Sequence, residues 1–131
     1  MKGRLFLSLL LAVAAIFLPA RFSSAADIVW TGSLSSDWNV SGNWSTNTVP
    51  TSADNITIPD ASTTANDPDI ANGAVGNNLT VTVGGVLNGN GQTITVYGNW
   101  TNSGTFNHEN GTVMFRGGYE YEFFSRKLNL L

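Results

Sequence analysis

Hydrophobic and polar residues alternate strictly in several short runs between Asn55 and Phe115. In "NITIP" Ile56 and Ile58 flank Thr57, and in "LTVTV" Leu79, Val81 and Val83 alternate with Thr80 and Thr82. "TITVY" repeats the pattern with Ile94 and Val96, and "TVMF" with Val113 and Phe115. Successive side chains of a strand point to opposite faces, so a period of two in β-branched residues predicts short strands with one buried face. No stretch beyond residue 26 sustains a helical period of helix-forming residues.

The segments between the runs exclude long strands and helices. Asn72 to Gly111 holds nine Gly and nine Asn in 40 residues, and both residue types favour turns and left-handed backbone. An all-β chain of short strands and close turns has two solutions. One is an antiparallel β-sandwich or meander of hairpins; the other is a parallel solenoid in which each strand lies on its counterpart one coil later. Ile94 and Val113 are 19 residues apart in matching contexts, "TITVYGNW" and "GTVMFRGG". A coil of about 20 residues is a workable solenoid unit. Val81 to Ile94 spans only 13, so the repeat is degenerate and tips the choice only modestly towards the solenoid.

The N-terminus reads as an export signal. Lys2 and Arg4 precede an apolar run from Leu5 to Leu18, Pro19 breaks it, and Ser24-Ala25-Ala26 forms a small-x-small cleavage site with Asp27 as the new N-terminus. This 14-residue run, apolar but for Ser8, falls short of the roughly 20 that span a bilayer as a helix, so the expectation is a cleaved leader over 1–26, a secreted or cell-surface location, and no membrane insertion afterwards. With no cysteine in the chain, the remaining 105 residues must be held by burial and backbone pairing rather than disulfides. Asp27 to Phe115 contains seven acidic residues and no Lys or Arg, which excludes nucleic acid and disfavours anionic lipid as partners.

Three zones follow the leader. Residues 27–50 carry Trp30, Trp38 and Trp44 among Asn and Ser; 51–115 carry the alternating runs; 116–131, "RGGYEYEFFSRKLNLL", gain cations and aromatics and nearly lose Asn. The end of a solenoid exposes its core and its strand edges, and a bare edge invites association. Residues 27–50 are expected to be the cap. Indole rings bury much area per residue, and nearby Asn and Ser side chains can accept from their N–H groups. The competing role of Trp30, Trp38 and Trp44 is a stacking platform for sugar rings, and Trp100, between Asn99 and Thr101, carries the same ambiguity. Packing is the preferred reading, because large aromatics mostly serve burial.

The stretch "WTGSLSSDWNVSGNWSTNTVPTSADNITIP", with "NLTV" at Asn78 to Val81 and "GNWTNSGTF" at Gly98 to Phe106, resembles the opening of bacterial secreted and surface proteins of the autotransporter-passenger or sorting-domain-bearing kind. In those proteins this opening leads into a right-handed parallel β-helix. The resemblance covers roughly 28–115 and implies that fold with a Trp-rich N-terminal cap. It also implies a non-catalytic structural or adhesion-type module that contacts carbohydrate or other surface proteins. The alternative it implies is the first piece of a polysaccharide-degrading β-helix enzyme whose active coils lie elsewhere. The tail departs from the pattern, as either a truncation or a capping strand.

Candidate chemistry is sparse. Lyases of the β-helix type, by the same resemblance, use an Arg or Lys base, which 27–115 lacks. A hydrolase needs two carboxylates flanking a bond, but "NDPD" around Asp67 and Asp69 reads first as a turn fixed by Pro68. Asp60, Asp67 and Asp69 form one acidic stretch whose hard oxygen ligands would suit Ca²⁺, although EF-hand spacing is absent; solvated turn carboxylates are the preferred reading, and no other cofactor is indicated. His108 is the sole histidine and cannot anchor a transition-metal site without Cys support. Six Asn-x-Ser/Thr sequons, at Asn39, Asn43, Asn55, Asn78, Asn99 and Asn110, are read as turns and side-chain ladders.

Overall fold

A computed structural model describes residues 24–117. The proposed leader, except for 24–26, and the tail beyond 117 lie outside the described residues. Among these residues nine strands form: β1 (Asp27–Val29), β2 (Asn55–Ile58), β3 (Val75–Gly76), β4 (Leu79–Val81), β5 (Val86–Asn88), β6 (Thr93–Val96), β7 (Trp100–Asn102), β8 (Thr105–Asn107) and β9 (Thr112–Phe115). Short 3₁₀ turns occupy Ser41–Asn43 and Ala61–Thr63. Among the described residues no helix is long and apolar enough to cross a membrane.

The strands build three sheets, ordered β1-β2-β4-β7, β3-β6-β9 and β5-β8. All six strand pairings are parallel. The antiparallel sandwich therefore gives way to parallel sheets. Parallel neighbours cannot be joined by tight hairpins, and the Gly/Asn turns serve instead as corners between sheets. From β4 onward the chain visits the first, third and second sheets in rotation, twice over. Partners along this stretch are 21 residues apart in β4–β7 (Leu79↔Trp100) and 19 apart in β5–β8 and β6–β9 (Val86↔Thr105, Thr93↔Thr112). Val81 and Ile94, whose spacing of 13 obscures the repeat, belong to different sheets. Earlier levels are longer, with Asp27 paired to Asn55 and Ile56 to Leu79; the Trp-rich segment lies within the first of these and the 3₁₀ turn at Ala61–Thr63 within the second.

Alternation sets the core. Ile28, Ile56, Leu79 and Trp100 stand in register on the first sheet, Ile94 and Val113 on the second, Leu87 and Phe106 on the third. All these aliphatic residues except Val113 are essentially fully buried, each contributing about 1.5–3 kcal/mol by removal from water. Polar ladders run outside the core. Asn107 Nδ2 donates to Asn88 Oδ1 and Asn88 Nδ2 to Asp69 Oδ1; Asn77 and Asn78 donate to Asn55 Oδ1, and Asn55 Nδ2 to Asp27 Oδ1. Each ladder ends on a carboxylate, the one side chain that needs only to accept.

One edge runs the other way. Trp44 bridges Trp30 in antiparallel fashion, Ser45 N donates to Val29 O, Thr31 N to Asn43 O, and Val29 N to Ser45 Oγ. Residues 43–45 thereby cover the outer edge of β1, which would otherwise present unpaired backbone groups.

Close approach of successive levels requires glycine at Gly104, where a Cβ would strike the backbone carbonyls of Gly85 and Thr82. Those carbonyls cannot swing aside without breaking bonds to Thr105 N and Gly85 N. Gly104→Val is expected to cost about 2–3 kcal/mol, read as a lower urea midpoint at unchanged slope; a wild-type midpoint would show that the levels have slack.

Candidate functional site

The Trp-rich segment is held from within by Asn43. This side chain has 0% exposure, and all its hydrogen-bonding capacity is used. Oδ1 accepts from Leu34 N (2.8 Å) and Ser35 N (3.0 Å), while Nδ2 donates to Ser35 Oγ (3.0 Å) and Asp37 O (2.9 Å). Around it Trp30 and Trp44 meet edge to face at 4.8 Å, and Trp38 and Trp44 at 4.7 Å. Trp30 is 1%, Trp38 0% and Trp44 1% exposed, so their faces lie against protein and offer no platform to a sugar ring. That placement favours the packing role.

The indole partners differ from the Asn and Ser side chains anticipated. Trp30 Nε1 donates to Asn66 O at 2.7 Å and Trp44 Nε1 to Trp38 O at 2.8 Å, both backbone carbonyls, whereas Trp38 Nε1 has no partner among the described residues. Asn66 is itself fastened, its Nδ2 donating to Gly32 O. Trp100 is half-buried against Phe106, with ring centroids 5.4 Å apart, and keeps part of its surface open.

The acidic residues are dispersed by the fold. Asp60 caps the 3₁₀ turn at Ala61–Thr63 by accepting from Ser62 N, and these Ser62 hydrogen bonds hold its carboxyl below the ordinary range. Asp69 lies on the third sheet's outer ladder, accepting from Ser36 Oγ and Asn88 Nδ2. Among the described residues no three His, Cys, Asp or Glu side chains gather closely enough to hold a metal ion. Asp60, Asp67 and Asp69, neighbours in sequence, are thus not gathered into one carboxylate group.

A different grouping emerges instead. Ser36, Asp37, Asp69, Ala71, Asn72, Asn90 and Gln92 line an open groove of about 350 Å³. Asp37 and Asp69 meet in a parallel bridge, and Asp69 bridges Asn88 in the same sense, so the groove runs across successive levels of the stack. Apart from Ala71 its walls are carboxylates, amides and a hydroxyl, donors and acceptors that match an array of sugar hydroxyls better than an apolar ligand. The residues are drawn from positions 36 to 92 with no common motif, and only the strand register unites them.

Among the described residues Asp54 is the buried carboxylate, at 6% exposure. Oδ2 accepts from Thr51 N (2.8 Å) and Thr51 Oγ1 (2.7 Å), and Oδ1 from Ala26 N (3.0 Å). Burial pushes its pKa up, but the Thr51 and Ala26 bonds outweigh that and hold it below the usual carboxylate value. A depressed folded pKa stabilises the fold above the unfolded value of about 3.9 and is lost as pH falls through the folded one. Asp54→Asn should therefore melt well below wild type near neutrality, and the gap should close below about pH 4. Parallel melting curves at every pH would separate Asp54 from acid sensitivity.

Fold and site together define an all-β protein of stacked parallel sheets whose leading edge is closed by an Asn-centred indole cluster and whose flank carries a polar groove. Residues 29–117 match the family described as a domain of unknown function (DUF8693), and the chain belongs to that family. No curated protein and no solved structure matches the chain.

Proposed function

We propose that the chain is the capped opening of a right-handed parallel β-helix, exported by its leader, and that it acts as a non-catalytic surface module contacting carbohydrate. The observation that carries this reading is the rotation of the chain through three parallel sheets, with residues 43–45 blocking the first edge. Such a stack is rigid and repetitive, and its flanks present regularly spaced polar groups, which suits display and weak multivalent contact. The groove of Asp37, Asp69, Asn72, Asn90 and Gln92 is the proposed contact surface, replacing the three buried Trp residues in that role.

The test is expression with the native leader in a bacterial host, followed by fractionation and incubation of the exported chain with immobilised polysaccharides. Recovery outside the cytoplasm, retention on at least one polysaccharide, loss of retention in Asp37→Ala and no release of reducing ends are the expected results. Cytoplasmic retention, uniform failure to bind, or release of reducing sugar would each overturn the proposal, the last in favour of a polysaccharide-degrading enzyme.

A further inference from the structure

Among the described residues the first backbone hydrogen bonds at the N-terminal end are those of Ala26. Its N–H donates to Asp54 Oδ1 at 3.0 Å, its carbonyl accepts from Asn55 N at 2.7 Å, and its side chain packs against the core. Ser24 and Ala25 are exposed and make no hydrogen bond among the described residues. Oδ2 of Asp54 is taken by Thr51, which leaves Oδ1 to Ala26. Resting on the export reading above, we propose that the leader is cut between Ala25 and Ala26, one residue before the Ala26–Asp27 bond expected from the sequence. The new α-ammonium of Ala26 then forms an ion pair with buried Asp54. Water adds across the peptide bond, Ala25 departs with the carboxylate, and the Ala26 nitrogen is retained as ammonium. Ser23-Ser24-Ala25 is as good a small-x-small site as Ser24-Ala25-Ala26. Cutting after Ala26 would discard both of its backbone bonds and leave a buried carboxylate short of a donor. No Lys or Arg from Asp27 to Phe115 could compensate.

N-terminal sequencing and intact mass of the exported chain decide the site. A chain starting at Ala26 is expected; a start at Asp27 or elsewhere overturns the inference, while an uncleaved chain held inside the cell removes the export reading beneath it. The Ala26-initiated protein is then Nα-acetylated, which keeps the N–H and removes the charge. A lower melting temperature after acetylation, absent in the Asp54→Asn background, is expected; equal melting of the free and acetylated forms overturns the ion pair.

A second, independent observation concerns the Asn-Gly dipeptides at Asn72, Asn88, Asn90 and Asn110. In three of them the glycine amide is tied: Gly89 N to Asn107 O, Gly91 N to Glu109 O and Gly111 N to His108 O. Asn88 is also held at both side-chain atoms, and Asn90 Nδ2 by Ile70 O. Asn72 differs. It is exposed in a turn closed by Ala74 N to Ala71 O, neither its side chain nor Gly73 N is bonded among the described residues, and nothing lies within 4 Å of a Cβ built at Gly73. The geometry points to Asn72 as a site of spontaneous deamidation. Gly73 N loses its proton to solvent and attacks Asn72 Cγ; the Cγ–Nδ2 bond breaks and ammonia leaves; water opens the resulting succinimide to aspartate or isoaspartate. A new carboxylate then enters the groove of Asp37 and Asp69.

The native chain is aged at mildly alkaline pH and mapped by peptide mass spectrometry. Asn72 is expected to convert roughly tenfold faster than the other three, about the cost of opening one amide hydrogen bond. In urea the four rates should converge. Faster conversion elsewhere, or the same ranking when unfolded, overturns the assignment.

Discussion

Trp44→Ala will destabilise the protein by about 3–5 kcal/mol, the range for deleting a fully enclosed aromatic side chain. Trp44 touches Trp30 on one side and Trp38 on the other, both edge to face, so its removal opens one cavity bordered by two rings that cannot both move inward. The backbone of 43–45 is also what blocks the edge of β1, and loosening it leaves the N–H and carbonyl of Val29 without their Ser45 partners. A stability of 5–15 kcal/mol, normal for a domain, leaves little margin after such a loss. Trp44→Phe separates the two contributions. It keeps most of the area but leaves Trp38 O without its donor, and should fall between wild type and alanine. Trp100→Ala is the contrast: at the last level of the first sheet, half exposed, it should cost distinctly less. Urea titration of the three variants checks the order, and equal losses for Trp44 and Trp100 would contradict the enclosed geometry of the cluster.

The strands are legible in the sequence because period two is a local property, and Ile56, Ile58, Leu79, Val81, Ile94 and Val96 turn inward as their alternation predicts, whereas Val83, which lies past the end of β4, and Phe115, at the end of β9, continue the same runs but are exposed. Parallel pairing is not local. It couples Leu79 to Trp100 and Val86 to Thr105 through chain that passes the other two sheets, and the inserted Trp-rich segment hides the repeat at the first level. Burial of the indoles follows from their number and crowding, but their partners do not. The carbonyls of Asn66 and Trp38 are backbone groups with no residue-type signature. Asp54 reads as a turn former in "SADN", and nothing adjacent reveals that Ala26, 28 residues upstream, donates to it. The groove is less legible still, since Asp37, Asp69 and Asn90 become neighbours only once the register is fixed.

The most informative single substitution is Asn43→Asp, which changes one NH₂ to an oxygen with almost no change in shape. The carboxylate can still accept from Leu34 N and Ser35 N, and the Ser35 hydroxyl can rotate to donate. The carbonyl of Asp37, 2.9 Å from Nδ2 in the native protein, would however face an acceptor where it had a donor. At 0% exposure the new charge is also removed from water with no cation nearby, so a loss of about 3 kcal/mol or more is expected at neutral pH. Acid should restore much of it, because a protonated carboxyl regains the donor that Asp37 O requires. The folded pKa of the introduced group therefore lies above the unfolded value of about 3.9. Its favourable contribution is complete below that value and disappears as pH rises through the folded pKa. Asp54 behaves in the opposite sense, losing its contribution in acid. Melting temperatures of wild type, Asp54→Asn and Asn43→Asp across the acid range should thus converge from two directions, Asp54→Asn because wild type falls towards it and Asn43→Asp because the variant recovers. An Asn43→Asp deficit independent of pH would mean that the side chain is reached by water, and that the cap is held by its indole rings alone.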